Sequence, residues 1–290
     1  MKVQFDCYKC ILNQIVEMAK QSSANDSERR EILKKFIALV VEHADNSTPP
    51  EMASFFYDIY CRKTGNNDPY ARIKQLSTDL AVQLYKEMEQ LVKSAADPFA
   101  MAVKIAIGGN IIDFGSHPDY NLADAAGAIR ETAGLPVDEE MLEKLKERSG
   151  NAREVFYILD NCGEAVLDRL LIDQIGAEKV TIGVRGKPIL NDVTRSELAA
   201  SGLDDLPVLD TGDRAPGVSL VNTAPEFLEK IRRSDLVIAK GQGNFESLGD
   251  TDTGKDIFFL FRVKCPVIRE QTGAKAGSLQ IRCANCQKRT

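Results

Sequence analysis

Val155-Phe156-Tyr157-Ile158-Leu159-Asp160-Asn161-Cys162-Gly163-Glu164 is the stretch whose reading decides the fold. An apolar run gives way to a carboxylate, an amide, a glycine and a second carboxylate, and an amphipathic segment from Ala165 to Ile175 follows. That order is strand, tight turn, helix. In an open parallel α/β sheet, ligands bind outside the carboxyl ends of the strands. Asp160, Asn161 and Glu164 fall there, and their oxygens suit a hard or borderline cation or a polar substrate. The competing reading is a helix cap, because Asp and Asn often open helices. The rest of the chain decides between the two.

Downstream, short β-branched runs at 154–159, 179–184, 206–209, 217–221, 235–239 and 257–263 alternate with helical segments at 163–175, 194–200 and 223–233. Such alternation predicts an α/β fold, a mostly parallel sheet with helices on its faces. Upstream the texture is helical. Apolar residues recur every three or four positions at 10–21, 28–44, 51–63, 69–95 and 98–105, with breaks at Asn46-Ser47-Thr48-Pro49-Pro50 and Gly65-Asn66-Asn67-Asp68-Pro69. Helices resume at 121–131 and 137–148. The expected organisation is a helical subdomain over 1–105 and an α/β domain over 106–290.

Composition narrows the function. The chain has 290 residues and a net charge of -6 with no basic block, which argues against nucleic acid as a partner. No apolar run approaches the roughly 18 residues of a membrane span. The N-terminus lacks the apolar core of a signal peptide, so the seven cysteines point to a reducing cytoplasm. Two histidines, His43 and His117, leave any metal site to carboxylates, amides or thiols. There is no Gly-x-Ser-x-Gly elbow.

Four further constellations carry chemistry. Asn191-Asp192-Val193-Thr194 follows the strand Val180 to Val184 and the turn Gly186-Lys187-Pro188. Asp192 or Thr194 there is a helix cap or, with Asp160 and Asn161, part of an oxygen-rich site for Mg, Mn, Co or Ni. Lys240-Gly241-Gln242-Gly243-Asn244-Phe245-Glu246 follows another strand. Its glycines let the backbone approach a ligand and its N–H groups line an anion-binding concavity, while Lys240 adds positive charge; the plainer reading is a flexible turn. Gly109-Asn110 with Asp113 is a glycine-punctuated turn carrying two polar groups. Lys264 ends the strand Ile257 to Phe261, either as its polar end or as a phosphate-neutralising charge. Two Cys-x-x-Cys pairs, Cys7/Cys10 and Cys283/Cys286, lie near the two termini. They read as inert thiols, as a redox pair, or as four thiolates of a structural zinc if the termini meet.

Taken together and in this order, these motifs resemble the metal-dependent damage-control phosphatases, the acidic-residue methyltransferase-like group formerly catalogued as a domain of unknown function. The Cys7/Cys10 pair resembles its prokaryotic stand-alone branch. The resemblance covers nearly the whole chain. It implies a helical N-terminal part, a three-layer α/β/α sandwich and one divalent cation (Mn, Ni, Co or Mg). The motifs carry the metal ligands onto Asp160, Asn161 and Asp192, a substrate-contacting stretch onto Gln242 to Glu246, and a phosphate-contacting lysine onto Lys264. The eukaryotic branch has one more residue before its glutamate than stands before Glu164, and its arginine-threonine motif is replaced here by Phe261-Arg262-Val263.

The expected activity is hydrolysis of small phosphate monoesters, sugar phosphates or damaged phosphometabolites, with Asp160, Asn161, Asp192 and Lys264 catalytic. Asn110, Asp113, Glu164, Lys240, Gly241, Gln242, Gly243 and Asn244 would meet the substrate. Two rivals remain. An S-adenosylmethionine-dependent methyltransferase calls for a glycine-rich loop after the first strand, where Asp160 to Glu164 offers one glycine. A non-enzymatic metal or thiol module would rest on the cysteine pairs.

Overall fold

A computed structural model describes residues 1–21, 25–111 and 122–285. At its centre lies β1 (Val155–Ile158), buried along its whole length. A strand apolar at every position can only sit between two covering layers. Val155 and Tyr157 face one hydrophobic core and Phe156 and Ile158 the other, the period-two alternation of a strand. The other strands are β2 (Val180–Val184), β3 (Val208–Asp210), β4 (Leu236–Lys240), β5 (Ile257–Arg262) and β6 (Leu279–Ala284), in the spatial order β3-β2-β1-β4-β5-β6. All neighbours are parallel except β5 and β6.

Helices cover both faces. On one lie α4 (Ala71–Ser94), α5 (Pro98–Gly108) and α8 (Cys162–Ile175), packed on one another. On the other, α9 (Pro225–Arg233) and α10 (Gly241–Leu248) close a second core through Phe227, Ile231, Leu248 and Phe259. This is the three-layer α/β/α arrangement. Further helices are α6 (Leu122–Ala133), α7 (Glu139–Asn151) and α11 (Pro266–Thr272).

The N-terminal helices α1 (Phe5–Gln21), α2 (Asp26–His43) and α3 (Pro49–Thr64) build their own core around Ile15, Phe36, Phe56 and Tyr57. Reciprocal capping boxes start α2 (Asn25 with Glu28) and α3 (Thr48 with Glu51), and Gly65 in the left-handed region (φ 70) ends α3. The helical region expected over 1–105 thus divides in packing. α1–α3 form a core apart, while α4 and α5 belong to the core under the sheet.

Two local expectations differ from the structure. Residues 217–221 form a loop, pinned where Val218 N donates to Ser247 Oγ at 3.0 Å. The segment 194–200 contracts to a single 3-10 turn, Arg195–Glu197.

Candidate functional site

The strand order reverses direction between β1 and β4, and in open α/β sheets such a switch point opens a crevice at the carboxyl ends. Asp160 and Asn161 leave β1 there, and Lys240 and Gly241 leave β4 beside them. Asn161 precedes α8 but its side chain makes no capping bond, so the cap reading does not account for it. Backbone bonds instead stitch this turn to the one after β2. Val193 N donates to the Asp160 carbonyl and Cys162 N to the Asn191 carbonyl, each at 2.9 Å, and Asn161 and Asp192 form an antiparallel bridge. Capping of the next turn falls to Thr194, which frees Asp192 to face Asp160. Leu190 reaches this turn through a left-handed backbone (φ 45), and its N–H donates to Tyr57 Oη at 2.9 Å, tying α3 to the site. Gly241 (φ 80) makes the room: a Cβ there would lie 1.9 Å from Asp160 Oδ2.

Two buried ionic clusters surround the Asp160 carboxylate. In the first, Arg185 Nε donates to Asp192 Oδ2 at 2.7 Å and Nη1 to Asn244 Oδ1 at 3.2 Å, while Nη2 stands 3.7 Å from Asp160 Oδ1. In the second, Lys240 Nζ contacts Glu164 Oε1, donates to Asp168 Oδ1 at 2.6 Å and to the Ala106 carbonyl at 2.8 Å, and Tyr157 Oη donates to Asp168 Oδ1 at 2.9 Å. Asn110 Nδ2 links the two, donating to Glu164 Oε2 at 2.7 Å and reaching Asp160 Oδ2 at 3.3 Å. Asn161 Nδ2 donates to Asp160 Oδ2 at 3.0 Å.

Burial dominates the electrostatics. It pushes the Asp160 carboxyl well above the usual range, helped by Asp192 and Glu164 and opposed by Arg185 and Lys264. Burial likewise raises Asp192 against the pull of Arg185. It works against the Lys240 ammonium too, yet Asp168 and Glu164 carry that group above the ordinary lysine value, so Lys240 is held charged.

Asp160, Asn161, Asp192, Glu164, Asn110, Gly241 and Asn244 come together as one group. Lys240 does not serve as expected: it is 0% exposed and its ammonium is fully engaged by the Glu164 and Asp168 carboxylates and the Ala106 carbonyl, with no proton left for a substrate anion. Asn244 supports the site from behind through Arg185 and the Lys240 carbonyl, the latter at 2.7 Å. Lys264 is exposed, with its backbone N–H on Gln242 Oε1 at 3.2 Å. Asp113 and Cys286 lie outside the described residues. Cys283 is disulfide-bonded and has no thiolate to offer Cys7 and Cys10. Those two line a cavity of about 480 Å³ with Cys265, Gln242, Glu246 and Lys264 instead.

Sequence reasoning missed Arg185 and Asp168. Arg185 follows β2 directly, which places it at the same sheet edge as Asp160, and that was its available signal. Asp168 stands four residues after Glu164 on α8, so both carboxylates share one helical face.

The model of the damage-control phosphatase ARMT1-like domain matches residues 3–279. A damage-control phosphatase of Pyrococcus horikoshii is 35% identical over 289 residues, covering 96% of this chain and 97% of that one. Another, from Archaeoglobus fulgidus, is 27% identical over 287 residues, covering 96% and 98%. The crystal structure of a DUF89 family protein from Pyrococcus horikoshii superposes with a TM-score of 0.85 at 31% identity, covering 97% of this chain and 98% of that one.

Proposed function

This chain belongs to the damage-control phosphatase ARMT1-like family, and from that premise we propose that it is a divalent-metal-dependent phosphatase acting on small phosphate monoesters, sugar phosphates or damaged phosphometabolites. The observation that carries the reading is charge. Asp160, Glu164, Asp168 and Asp192 are buried with two cations, Arg185 and Lys240, which leaves a formal excess of two negative charges beside Gly241, whose missing Cβ makes room for the Asp160 carboxylate. One divalent cation matches that deficit. The carboxylates of Asp160 and Asp192 with the amide oxygen of Asn161 are a donor set for Mn, Ni, Co or Mg. Among the described residues no three His, Cys, Asp or Glu side chains form a metal cluster, and in this reading the Asn161 amide would be the third ligand. Such an ion supplies Lewis-acid polarisation of a phosphoryl oxygen and activation of water.

The chain's own groups do the rest. Backbone N–H groups at the start of α10, from Gly241 to Asn244, cradle phosphoryl oxygens at the positive end of that helix. Lys264 brings charge from the rim and already favours the ionised form of Asp160. Glu164, held by Lys240, orients Asn110, whose Oδ1 is buried with no hydrogen-bond partner and would accept from a hydroxyl of the leaving group. The partner is a small phosphorylated metabolite, with no nucleic acid or membrane. No helix among the described residues is long and apolar enough to cross a membrane. Among the described residues five cysteines are free thiols, which suits the cytoplasm, and Cys283 alone is disulfide-bonded.

The test is release of phosphate from an aryl phosphate by chelator-treated protein, with each of the four metals restored in turn. Activity that returns with metal supports the reading. Full activity in chelator, or none with any of the four, would overturn it.

A further inference from the structure

Arg185 is 1% exposed, and its guanidinium is fixed on two sides by Asp192 and Asn244. Its third nitrogen, Nη2, has no hydrogen-bond partner. Asp160 Oδ1, 3.7 Å away, is attractive in charge but beyond hydrogen-bond reach. A buried charged donor left without an acceptor carries a larger desolvation penalty than a neutral one, so such a group needs an explanation. Arginine's rigid fork suits it to oxyanions, since two nitrogens set the plane and the third is aimed before any ligand arrives.

We propose that Arg185 is a further catalytic residue, whose Nη2 donates to a non-bridging oxygen of the phosphoryl group. This rests on the phosphatase reading of the same site. The contact has the features of an electrostatic transition-state stabiliser: it is dry, held from behind, and costs no reorganisation when charge develops. The rival role is structural, with Arg185 merely holding Asp192 in place. The two roles move metal binding and phosphate binding in different directions. A phosphoryl contact leaves metal affinity intact and weakens phosphate. A scaffold for Asp192 weakens the metal itself.

Arg185→Lys keeps the charge and loses the fork; Arg185→Ala loses both. Calorimetry would measure Mn²⁺ binding to each protein, then inorganic phosphate binding to the Mn²⁺-loaded forms, with Asp192→Asn as the control. In Arg185→Lys we expect Mn²⁺ affinity within about twofold of wild type, phosphate affinity down about tenfold, and turnover down on the order of 10²-fold. Added guanidinium ion should restore part of the lost phosphate binding in Arg185→Ala. If that variant does not fold, the Lys variant decides alone. Unchanged phosphate affinity in loaded Arg185→Lys, or a fall in Mn²⁺ affinity that accounts for the lost turnover, overturns the proposal while the phosphatase reading stands. A wild-type protein that binds phosphate equally with and without metal overturns both.

Discussion

The two ionic clusters at the switch point are made of the same kinds of group and are finished differently. Around Lys240 every ammonium proton has an acceptor: two carboxylates and a carbonyl close on it, and Tyr157 adds a donor from β1. Around Arg185 one nitrogen is left without a partner, and Asp160 stands off at 3.7 Å. A satisfied buried network rigidifies, whereas an incomplete one is costly unless something completes it. The Lys240 side, where the cation is saturated although Asp168 Oδ2 lacks a partner, reads as framework; the Arg185 side, where the cation's own donor is open, reads as receptor. The excess negative charge must then be met on the Arg185 side, where Asp160 and Asp192 face each other.

Breaking the framework should have the largest effect. Lys240→Met strands Glu164 and Asp168 without their cation, and losing one partner of a buried pair costs about 3–5 kcal/mol. Urea unfolding at neutral pH should show that loss, and lowering the pH should shrink it as Asp168, whose carboxyl burial already pushes up to about 7, takes up a proton. A variant within 1 kcal/mol of wild type would show that the cluster is not framework.

Breaking the receptor should do the opposite. Asp160→Asn removes a carboxylate whose charge burial already opposes and which makes only a 3.7 Å ion pair, so the folded protein should lose little stability. Asp192→Asn also takes the close partner of Arg185 and should cost more. Metal-dependent turnover should fall on the order of 10³-fold. A folded variant with wild-type turnover would remove the residue from the metal site.

Glu246 serves as an internal control, because it is a half-buried acid on α10 that forms no ion pair with a side-chain cation among the described residues. Burial pushes its carboxyl up to about 7, opposed by the Gln242 hydrogen bond and the chain's amino terminus. The folded state therefore holds a proton that the unfolded state has released, and stability should fall as pH rises from about 4.5 to about 7. Glu246→Gln should flatten that slope, by at most about 2–3 kcal/mol, in unfolding measured across that range. An unchanged slope would place the titration elsewhere.

These contrasts mark what was legible in the chain. β1, β2, β4 and β5 are β-branched or aromatic runs whose register needs no distant information, and the Asp160 and Asp192 turns follow from their ends. β6 was missed because Gln280 and Arg282 alternate with Leu279 and Ile281, and an edge strand with one wet face reads as polar. α10 was missed because Gly241 and Gly243 argue against a helix. Both are glycine for non-local reasons: Asp160 Oδ2 and the Pro216 carbonyl each lie 1.9 Å from where a Cβ would stand. Lys240 and Arg185 are lysine and arginine at strand ends, where solvent is the ordinary expectation. Their burial is set by Glu164, Asp168, Asp192 and Asn244, which only the folded topology brings near.

The smallest expected effect probes how the receptor side is held. The Asp192 turn leans on α3 through one hydrogen bond, Leu190 N–H to Tyr57 Oη, at a residue whose backbone is already left-handed. A non-glycine residue in that region costs about 1–2 kcal/mol, so the turn persists because its surroundings hold it there. Tyr57→Phe keeps the ring among Phe36, Phe56 and Tyr60 and deletes the one acceptor, which should cost about 1 kcal/mol in unfolding. The informative readout is Mn²⁺ affinity. If Tyr57 holds the turn, affinity should drop a few-fold, and adding Arg185→Lys should change it by no more than the roughly twofold expected of that variant alone. Unchanged Mn²⁺ affinity in Tyr57→Phe would mean that the α1–α3 core serves stability without reaching the metal site.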